Sequence, residues 1–294
     1  MALELTVIIL TFNEAEHIAR AIGSIKGIAT RIVVVDSGST DGTVDIAKQL
    51  GAKVYYNEWV NYASQFNYAL NNTNISTEWV MRLDSDEYID TQLTAQIMAL
   101  KDVSNGISGF QVNRRMKFLG HELQYGGMSK YWMLRIWRHS KGVCEQKWMD
   151  EHIIISEGEV VSLKGKLIDD NKKNIGWWIT KHNSYSSREV VDIYFNMATC
   201  NKLAGQKSSF IRVLKKCYLR APVGFRSTFY FLYRYFFRLG VLDGYRGFLW
   251  NFLQGWWYRV LVDIKLMQLE SHAQGDREKA IEYVNKEFGI KYKG

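Results

Sequence analysis

Four clusters of oxygen-bearing side chains carry the chemical potential of this chain: Thr11-Phe12-Asn13-Glu14, Asp36 heading a Ser-Gly-Ser-Thr turn, Asp84-Ser85-Asp86-Glu87, and Asp150-Glu151-His152. A rim crowded with carboxylates repels a phosphate ligand unless a divalent cation sits between the two. Asp84 and Asp86 are hard oxygen donors of the kind that lets Mg²⁺ or Mn²⁺ bridge a diphosphate. Asp, Asn and Ser also favour turns and caps, so one cluster alone carries little weight. What gives them weight is where they fall relative to the elements that hold them.

Leu5 to Thr11 is a continuous β-branched run, the pattern of a strand buried on both faces. Helical spacing follows over residues 14–25, a second strand over 31–35, a helix over 43–50 closed by Gly51, a third strand over 52–56, a helix over 60–72 and a fourth strand over 78–83. Strands alternating with helices over short connections predict a parallel, doubly wound α/β sheet. Ligands of such sheets lie beyond the carboxyl ends of the strands, where the first three acidic clusters fall. No G-x-G-x-x-G follows the first strand and no G-K-[ST] loop is present, which disfavours dinucleotide oxidoreductases and P-loop NTPases. An Asp-x-Asp phosphotransferase would carry its aspartates after the first strand, not the fourth.

Further along, residues 107–117 and 131–138 read as strands bearing Arg114, Arg115, Lys117, Arg135 and Arg138. The stretch 118–130, with Gly120, Gly126 and Gly127, reads as a mobile loop, and 153–156 as another strand. Residues 176–205 predict a long amphipathic helix.

Charge is unevenly spread. Between Phe210 and Val262 nine basic residues face one acid, Asp243, which accounts for the whole formal excess of +8. The same window holds 17 aromatic residues, from a chain total of 14 Phe, 10 Trp and 17 Tyr. Phe229, Leu232, Tyr233, Phe236 and Phe237 recur at helical spacing as an apolar stripe, with Arg226, Arg234 and Arg238 largely off it. That composition suits a helix in a membrane interface, with Trp250, Trp256 and Trp257 at headgroup depth and arginines reaching anionic lipids. A packed helical subdomain or dimer interface is the rival. Nucleic acid is disfavoured, because the aromatics follow a helix and not a strand platform.

No 18-residue stretch is both apolar and uncharged, so no conventional transmembrane helix is expected. The first residues read as a strand and not as a secretory signal. Three cysteines without close spacing fit neither a disulfide scaffold nor a zinc module and point to a reducing cytosol.

The series V-I-I-L-T-F-N-E, V-V-V-D-S-G-S-T-D-G-T and W-V-M-R-L-D-S-D-E, in this order, resembles family 2 glycosyltransferases of the GT-A fold over roughly residues 4 to 160. The second motif is especially similar to bacterial enzymes that build lipopolysaccharide core, O-antigen or capsule sugars. The resemblance implies a GT-A α/β fold, with a mixed, mostly parallel sheet flanked by helices. It implies that Thr11, Phe12 and Glu14 line the base and ribose pocket, and that Asp36 accepts from the base imide N–H, favouring uracil or thymine. Asp84 and Asp86 become the D-x-D motif, with Asp86 the more direct metal ligand and Asp84 nearer the ribose. Gln65 falls where relatives often place a polar nucleotide contact. Leu10 departs from the proline that many relatives carry there.

Family members invert the anomeric centre by direct displacement, which requires a carboxylate to take the acceptor proton. The implied base is Glu151, the second member of an acidic pair, with Asp150 as the alternative. His152 reads as a structural histidine at a strand start, with metal or acceptor contact as the other possibility.

Together these expectations describe an inverting, metal-dependent (Mn²⁺ or Mg²⁺) glycosyltransferase. It would move a hexose from a nucleotide sugar, UDP-linked first, to a polyprenyl-diphosphate-linked or lipid A–core saccharide at the cytoplasmic face of the inner membrane. The expected domains are a catalytic 1–205, with a nucleotide-sugar half to about 100 and an acceptor half beyond, and a membrane-interfacial 206–294. The alternatives are a non-catalytic sugar-nucleotide-binding or scaffold member, and a sugar-nucleotidyltransferase. The latter needs a glycine-rich basic loop after the first strand, which Thr11-Phe-Asn-Glu14 does not provide.

Overall fold

The computed structural model describes residues 3–146, 151–203 and 224–292, with side chains described through Phe195 in the helix ending at Leu203. Two compact units divide the chain: 1–124 with 128–172, and 125–127 with 173–294.

In the first unit the strands are β1 (Leu5–Thr11), β2 (Arg31–Asp36), β3 (Lys53–Tyr56), β4 (Trp79–Asp84), β5 (Glu87–Ile89), β6 (Ile107–Phe118), β7 (His121–Glu122), β8 (Tyr131–Arg138), β9 (Gly142–Cys144), β10 (Ile153–Ile155) and β11 (Glu159–Asp169). Its helices are α1 (Ile18–Ile25), α2 (Thr43–Gln49), α3 (Tyr62–Asn72) and α4 (Thr91–Ala99). The main sheet runs β3-β2-β1-β4-β8-β6-β11-β5, with β7 paired to β6 and β9–β10 a separate hairpin. The β3-β2-β1-β4 half is parallel. β8 enters antiparallel to both β4 and β6, β11 is parallel to β6, and β5 antiparallel to β11. The α/β expectation therefore holds, with a mixed second half.

The chain visits β1, β2 and β3 outward and then returns to place β4 on the other flank of β1. That reversal leaves a crevice at the carboxyl ends of β1 and β4. β1 is buried along its whole length. Leu5, Val7 and Ile9 pack on one face with Ile18, Ile22 and Trp79, while Ile8 and Leu10 pack on the other with Phe66 and Trp137. Burial on both faces explains why β1 reads as an unbroken apolar run instead of an alternating one.

The second unit consists of α5 (Ile175–Leu203), α6 (Phe225–Leu232), α7 (Gly244–Trp250), α8 (Tyr258–Ala273) and α9 (Arg277–Glu287), with wider π-type turns at Tyr233–Phe237 and Asn251–Trp257. The long helix expected over 176–205 is present, but it belongs here and not with the sheet. Its partners are on α8: Tyr258 donates to Glu189 (2.7 Å), and Lys265 Nζ donates to Asn183 O, Ser186 Oγ and Ser187 Oγ at 2.7–2.9 Å. The compact unit that holds the sheet thus ends at Lys172.

The glycine-rich stretch expected to be mobile is tied down at its tip. Asp243 accepts the N–H of Tyr125 (2.9 Å), Gly126 N–H donates to Arg238 O (2.9 Å), and Arg234 Nε donates to Gly126 O (2.9 Å). Gly126 has φ 66°, and a Cβ there would meet Asn251 at 3.0 Å. Of the three tryptophans expected at headgroup depth, Trp250 is buried and Trp256 and Trp257 are partly exposed. Trp178 lies 6.1 Å from Trp257 and 6.3 Å from Trp250, and Trp256 donates to Thr228 (3.0 Å).

His182 stacks on Trp178 at 3.5 Å, donates from Nδ1 to the Trp178 carbonyl (2.8 Å) and accepts at Nε2 from Gln254 (2.6 Å). Burial pushes its pKa down to about 4. The unfolded chain, with His near 6.5, takes up this proton first, so stability is full above about pH 6.5 and falls as pH drops toward 4, by roughly 3 kcal/mol. Urea midpoints at pH 7 and pH 4.5 should differ by more in the wild type than in His182→Gln; equal slopes would remove His182 from the acid sensitivity.

Candidate active site

The sheet register brings the predicted rim together. Thr11 pairs with Asp36 and Leu10 with Asp84, so the ends of β2, β1 and β4 are level to within a residue. Two interstrand spacings separate Asp36 from Asp84, about 10 Å between backbones. The rim is therefore wide enough for a nucleoside to lie across it.

Asp36 is buried and closes the turn after β2. Its Oδ2 accepts the N–H groups of Gly38 and Ser39 (both 2.8 Å), and Oδ1 accepts the Ser39 hydroxyl (2.5 Å). Asn13, at φ 53°, locks this turn to the loop after β1: its N–H donates to Ser39 Oγ (2.8 Å) and its Oδ1 accepts from Thr40 N–H (2.8 Å). Gln65, fully buried, braces the turn from below. It donates to Ser37 Oγ (2.9 Å) and Asn57 O (3.0 Å) and accepts from Asn57 Nδ2 (2.6 Å), which makes it a support of the pocket floor.

Thr11 is buried, and its hydroxyl has no hydrogen-bond partner among the described residues. Phe12 is 55% exposed, a ring offered to solvent at the mouth. Glu14 is buried: its N–H donates to Thr43 Oγ1 (2.8 Å), and its Oε2 accepts from His17 Nδ1 (2.6 Å). Because His17 Nε2 accepts the N–H of Lys172 (2.9 Å), the ring proton belongs on Nδ1.

Around Asp84 the field is set by arginines. Arg82, on the same strand face two residues earlier, places Nε 3.2 Å from Asp84 Oδ1 and Nη1 2.9 Å from Glu151 Oε1. Its guanidinium also lies 5.7 Å from the Phe66 ring and 5.9 Å from the Tyr62 ring, beneath α3. Arg135, almost wholly buried, places Nη2 2.6 Å from Glu87 Oε1 and 3.6 Å from Asp84 Oδ2. Arg114 donates to Glu87 (2.9 Å) and pairs with Asp169. Burial pushes the Asp84 carboxyl up, but Arg82, Arg135 and Arg114 outweigh it and hold the group well below the usual carboxylate range. Burial, with Asp84 alongside, raises Glu87 against the pull of Arg135 and Arg114.

The shared guanidinium is what joins Glu151 to the end of β4. Asp150 lies outside the described residues. His152 is mostly exposed, with Nδ1 3.7 Å from Glu145 Oε2.

Asp86 Oδ2 accepts from Asn171 Nδ2 (2.9 Å), and its carbonyl accepts from Arg20 Nη2 (3.1 Å). Arg20 Nη1 also donates to Asp170 Oδ2 (2.7 Å). The loop leaving β11 therefore lies against the rim residue by residue, through Asp169, Asp170, Asn171 and Lys172. Among the described residues no group of three or more His, Cys, Asp or Glu side chains is placed to hold a metal ion. Asp84 and Asp86, both partly exposed at and just past the end of β4, are the hard oxygen donors that would hold a Mg²⁺ or Mn²⁺.

Several residues that frame the rim were not singled out from the sequence. Arg82 had a visible signal, a cation inside the buried run Trp79–Asp84. His17 and the β11 loop had none: their partners lie up to 155 residues away.

With this geometry in place, the chain can be set beside known proteins. Residues 6–148 match the model of glycosyl transferase family 2. The lipopolysaccharide core biosynthesis glycosyltransferase LpsC of Rhizobium meliloti is 30% identical over 191 residues, covering 63% of this chain and 70% of that one. The chain belongs to glycosyl transferase family 2. An uncharacterized glycosyltransferase of Rickettsia felis is 43% identical over 94 residues, 32% of each chain, so the match spans about a third of that relative's length. Among solved structures, mannosyl-3-phosphoglycerate synthase from Rubrobacter xylanophilus is similar at a TM-score of 0.44 and 14% identity, over 70% of this chain and 78% of that one.

Removing the Arg82 charge leaves two carboxylates facing each other in a poorly solvated site. Arg82→Met should cost about 3 kcal/mol by urea unfolding, and Arg82→Lys, which lacks the two-pronged geometry, should recover only part. A neutral Arg82→Met would show that the guanidinium does not hold Asp84 and Glu151 together.

Proposed function

We propose that this chain is an inverting, metal-dependent glycosyltransferase. In this reading it transfers a hexose from a nucleotide sugar, UDP-linked first, to a lipid-linked saccharide in bacterial surface polysaccharide assembly. The observation that carries the reading is the aligned rim of Thr11, Asp36 and Asp84, with Glu151 fastened to Asp84 through Arg82.

Phe12, exposed at the mouth, offers a ring face to the base, and the turn locked by Asp36, Asn13 and Gln65 sets the depth at which base and ribose rest. Asp86, with Asp84, would hold the divalent cation, which when bound offsets the charge of the departing diphosphate. Glu151 takes the proton of the acceptor hydroxyl as its oxygen bonds to the anomeric carbon from the face opposite the leaving group. The bond from that carbon to the diphosphate oxygen breaks, and its electron pair leaves with the nucleoside diphosphate. Arg82 keeps Glu151 oriented toward the rim.

The name of the Rhizobium meliloti relative supports a lipopolysaccharide-core or similar acceptor. No helix among the described residues is long and apolar enough to cross a membrane. The basic, aromatic second unit supports peripheral association with anionic lipids at the cytoplasmic face of the inner membrane, where a polyprenyl-diphosphate or lipid A–core acceptor would be presented.

UDP-, dTDP- and GDP-sugars incubated with polyprenyl-diphosphate-linked sugars, with and without Mn²⁺ or Mg²⁺, test this reading through product and released nucleotide. Asp86→Ala should lower metal-dependent transfer by about 10³-fold; a wild-type rate in that variant would refute the metal assignment. Glu151→Gln should lose about 10² to 10⁴-fold in transfer while binding donor normally. If Asp150→Asn does this instead, the base is the preceding residue.

A further inference from the structure

Residues 225–252 of the second unit are built inside out. Four of their polar side chains are turned inward: Arg226 pairs with Asp263 and is buried with it, and Ser227, Asp243 and Asn251 are buried as well. Asp243 is spent on the Tyr125 N–H and Arg234 on the Gly126 carbonyl. Many large apolar side chains face outward, Trp250 being buried. Phe225, Phe229, Phe236, Phe237, Leu242 and Tyr245 are exposed, with Phe237 at 79% and Phe229 at 68%. Water-facing helices are arranged the other way round, and an apolar surface of this extent marks a contact with something apolar.

We infer that this hairpin inserts into the hydrocarbon of one membrane leaflet, so that the protein is held as a wedge and not merely adsorbed by charge. The inference rests on, and sharpens, the membrane association proposed above. Its dimensions exclude a span and fit one leaflet, about 15 Å deep, only when the helix is tilted. The helical run 225–237 is about 20 Å long at 1.5 Å per residue, short of the roughly 30 Å hydrocarbon core. The chain then reverses through Leu239 at φ 60° and the single turn Gly240–Asp243.

Charge favours lipid over a second protein copy as the occupant. The one acid of the hairpin, Asp243, is withdrawn from the surface, while Arg238 stays exposed between Phe237 and Leu239. An apolar tip flanked by an outward cation suits acyl chains below and anionic headgroups beside it. Face-to-face pairing of two copies would instead bring the Arg238 side chains together.

The test uses the full-length protein and vesicles of phosphatidylcholine with phosphatidylglycerol, floated at 0.1 and 1 M NaCl, with penetration of a lipid monolayer as a second measurement. Salt screens surface charge but not apolar burial. The wild type should therefore float at both salt concentrations and raise the monolayer pressure. The triple variant Phe229→Ser, Phe237→Ser, Leu242→Ser replaces only exposed side chains. It should keep its circular dichroism and UDP binding while losing at least ten-fold in vesicle affinity at 1 M NaCl.

Wild-type flotation at low salt only would overturn insertion and leave peripheral adsorption standing. A triple variant that floats like the wild type would overturn the assignment of these residues. A wild type that ignores vesicles and sediments as a dimer, dissociated by the triple substitution, would overturn insertion and the membrane reading together.

Discussion

One guanidinium organises the candidate site. Arg82 is buried between two carboxylates from distant parts of the chain, Asp84 at the end of β4 and Glu151 before β10. A cation in that position is stable only with both partners present, because removing either leaves charge stranded in a poorly solvated place. The pairing therefore couples the edge that would receive a sugar nucleotide to the group that would deprotonate an acceptor. Phe66 and Tyr62 on α3 keep the arginine from swinging away, so the helix packed on the sheet also fixes the spacing of the chemistry.

A second layer of control lies in the turns. Asp36 accepts from Gly38 and Ser39, Asn13 bridges to Thr40, and Gln65 ties Ser37 to Asn57. These bonds hold in place side chains that the sequence places at the nucleotide pocket. Asp36 and Gln65 are engaged with backbone, hydroxyl and amide partners, while Phe12 keeps a ring face exposed.

What could be read from the sequence followed the range over which each signal acts. β1, β2, β3, β4, α2, α3 and β8 were legible to within a residue or two, since apolar runs and local caps carry them. The acidic rim was legible because strand ends in a parallel sheet must align. β11 was not: its first four residues are exposed, Lys164 and Lys166 interrupt its pattern, and its pairing with β6 slips between Ser162 and Lys166. The β5 edge, three residues long, depends on β11 for its partner and was lost with it. The aromatic stripe over Phe229–Phe237 was found, yet which tryptophans face inward depended on α5, whose contact with α8 leaves no local trace. Trp250 and Trp257 gather around Trp178 for that reason.

The His17 clasp carries an implication for how such a protein is made and remodelled. The segment bearing Glu14 is latched to the backbone of Lys172, 155 positions downstream. An emerging polypeptide that has left the ribosome only as far as β5 owns the whole acidic rim of β1, β2 and β4 but not the clip that holds its first loop in shape. The amino-terminal third is thus no portable cassette: grafted alone onto another scaffold, it would arrive with its first loop unfastened.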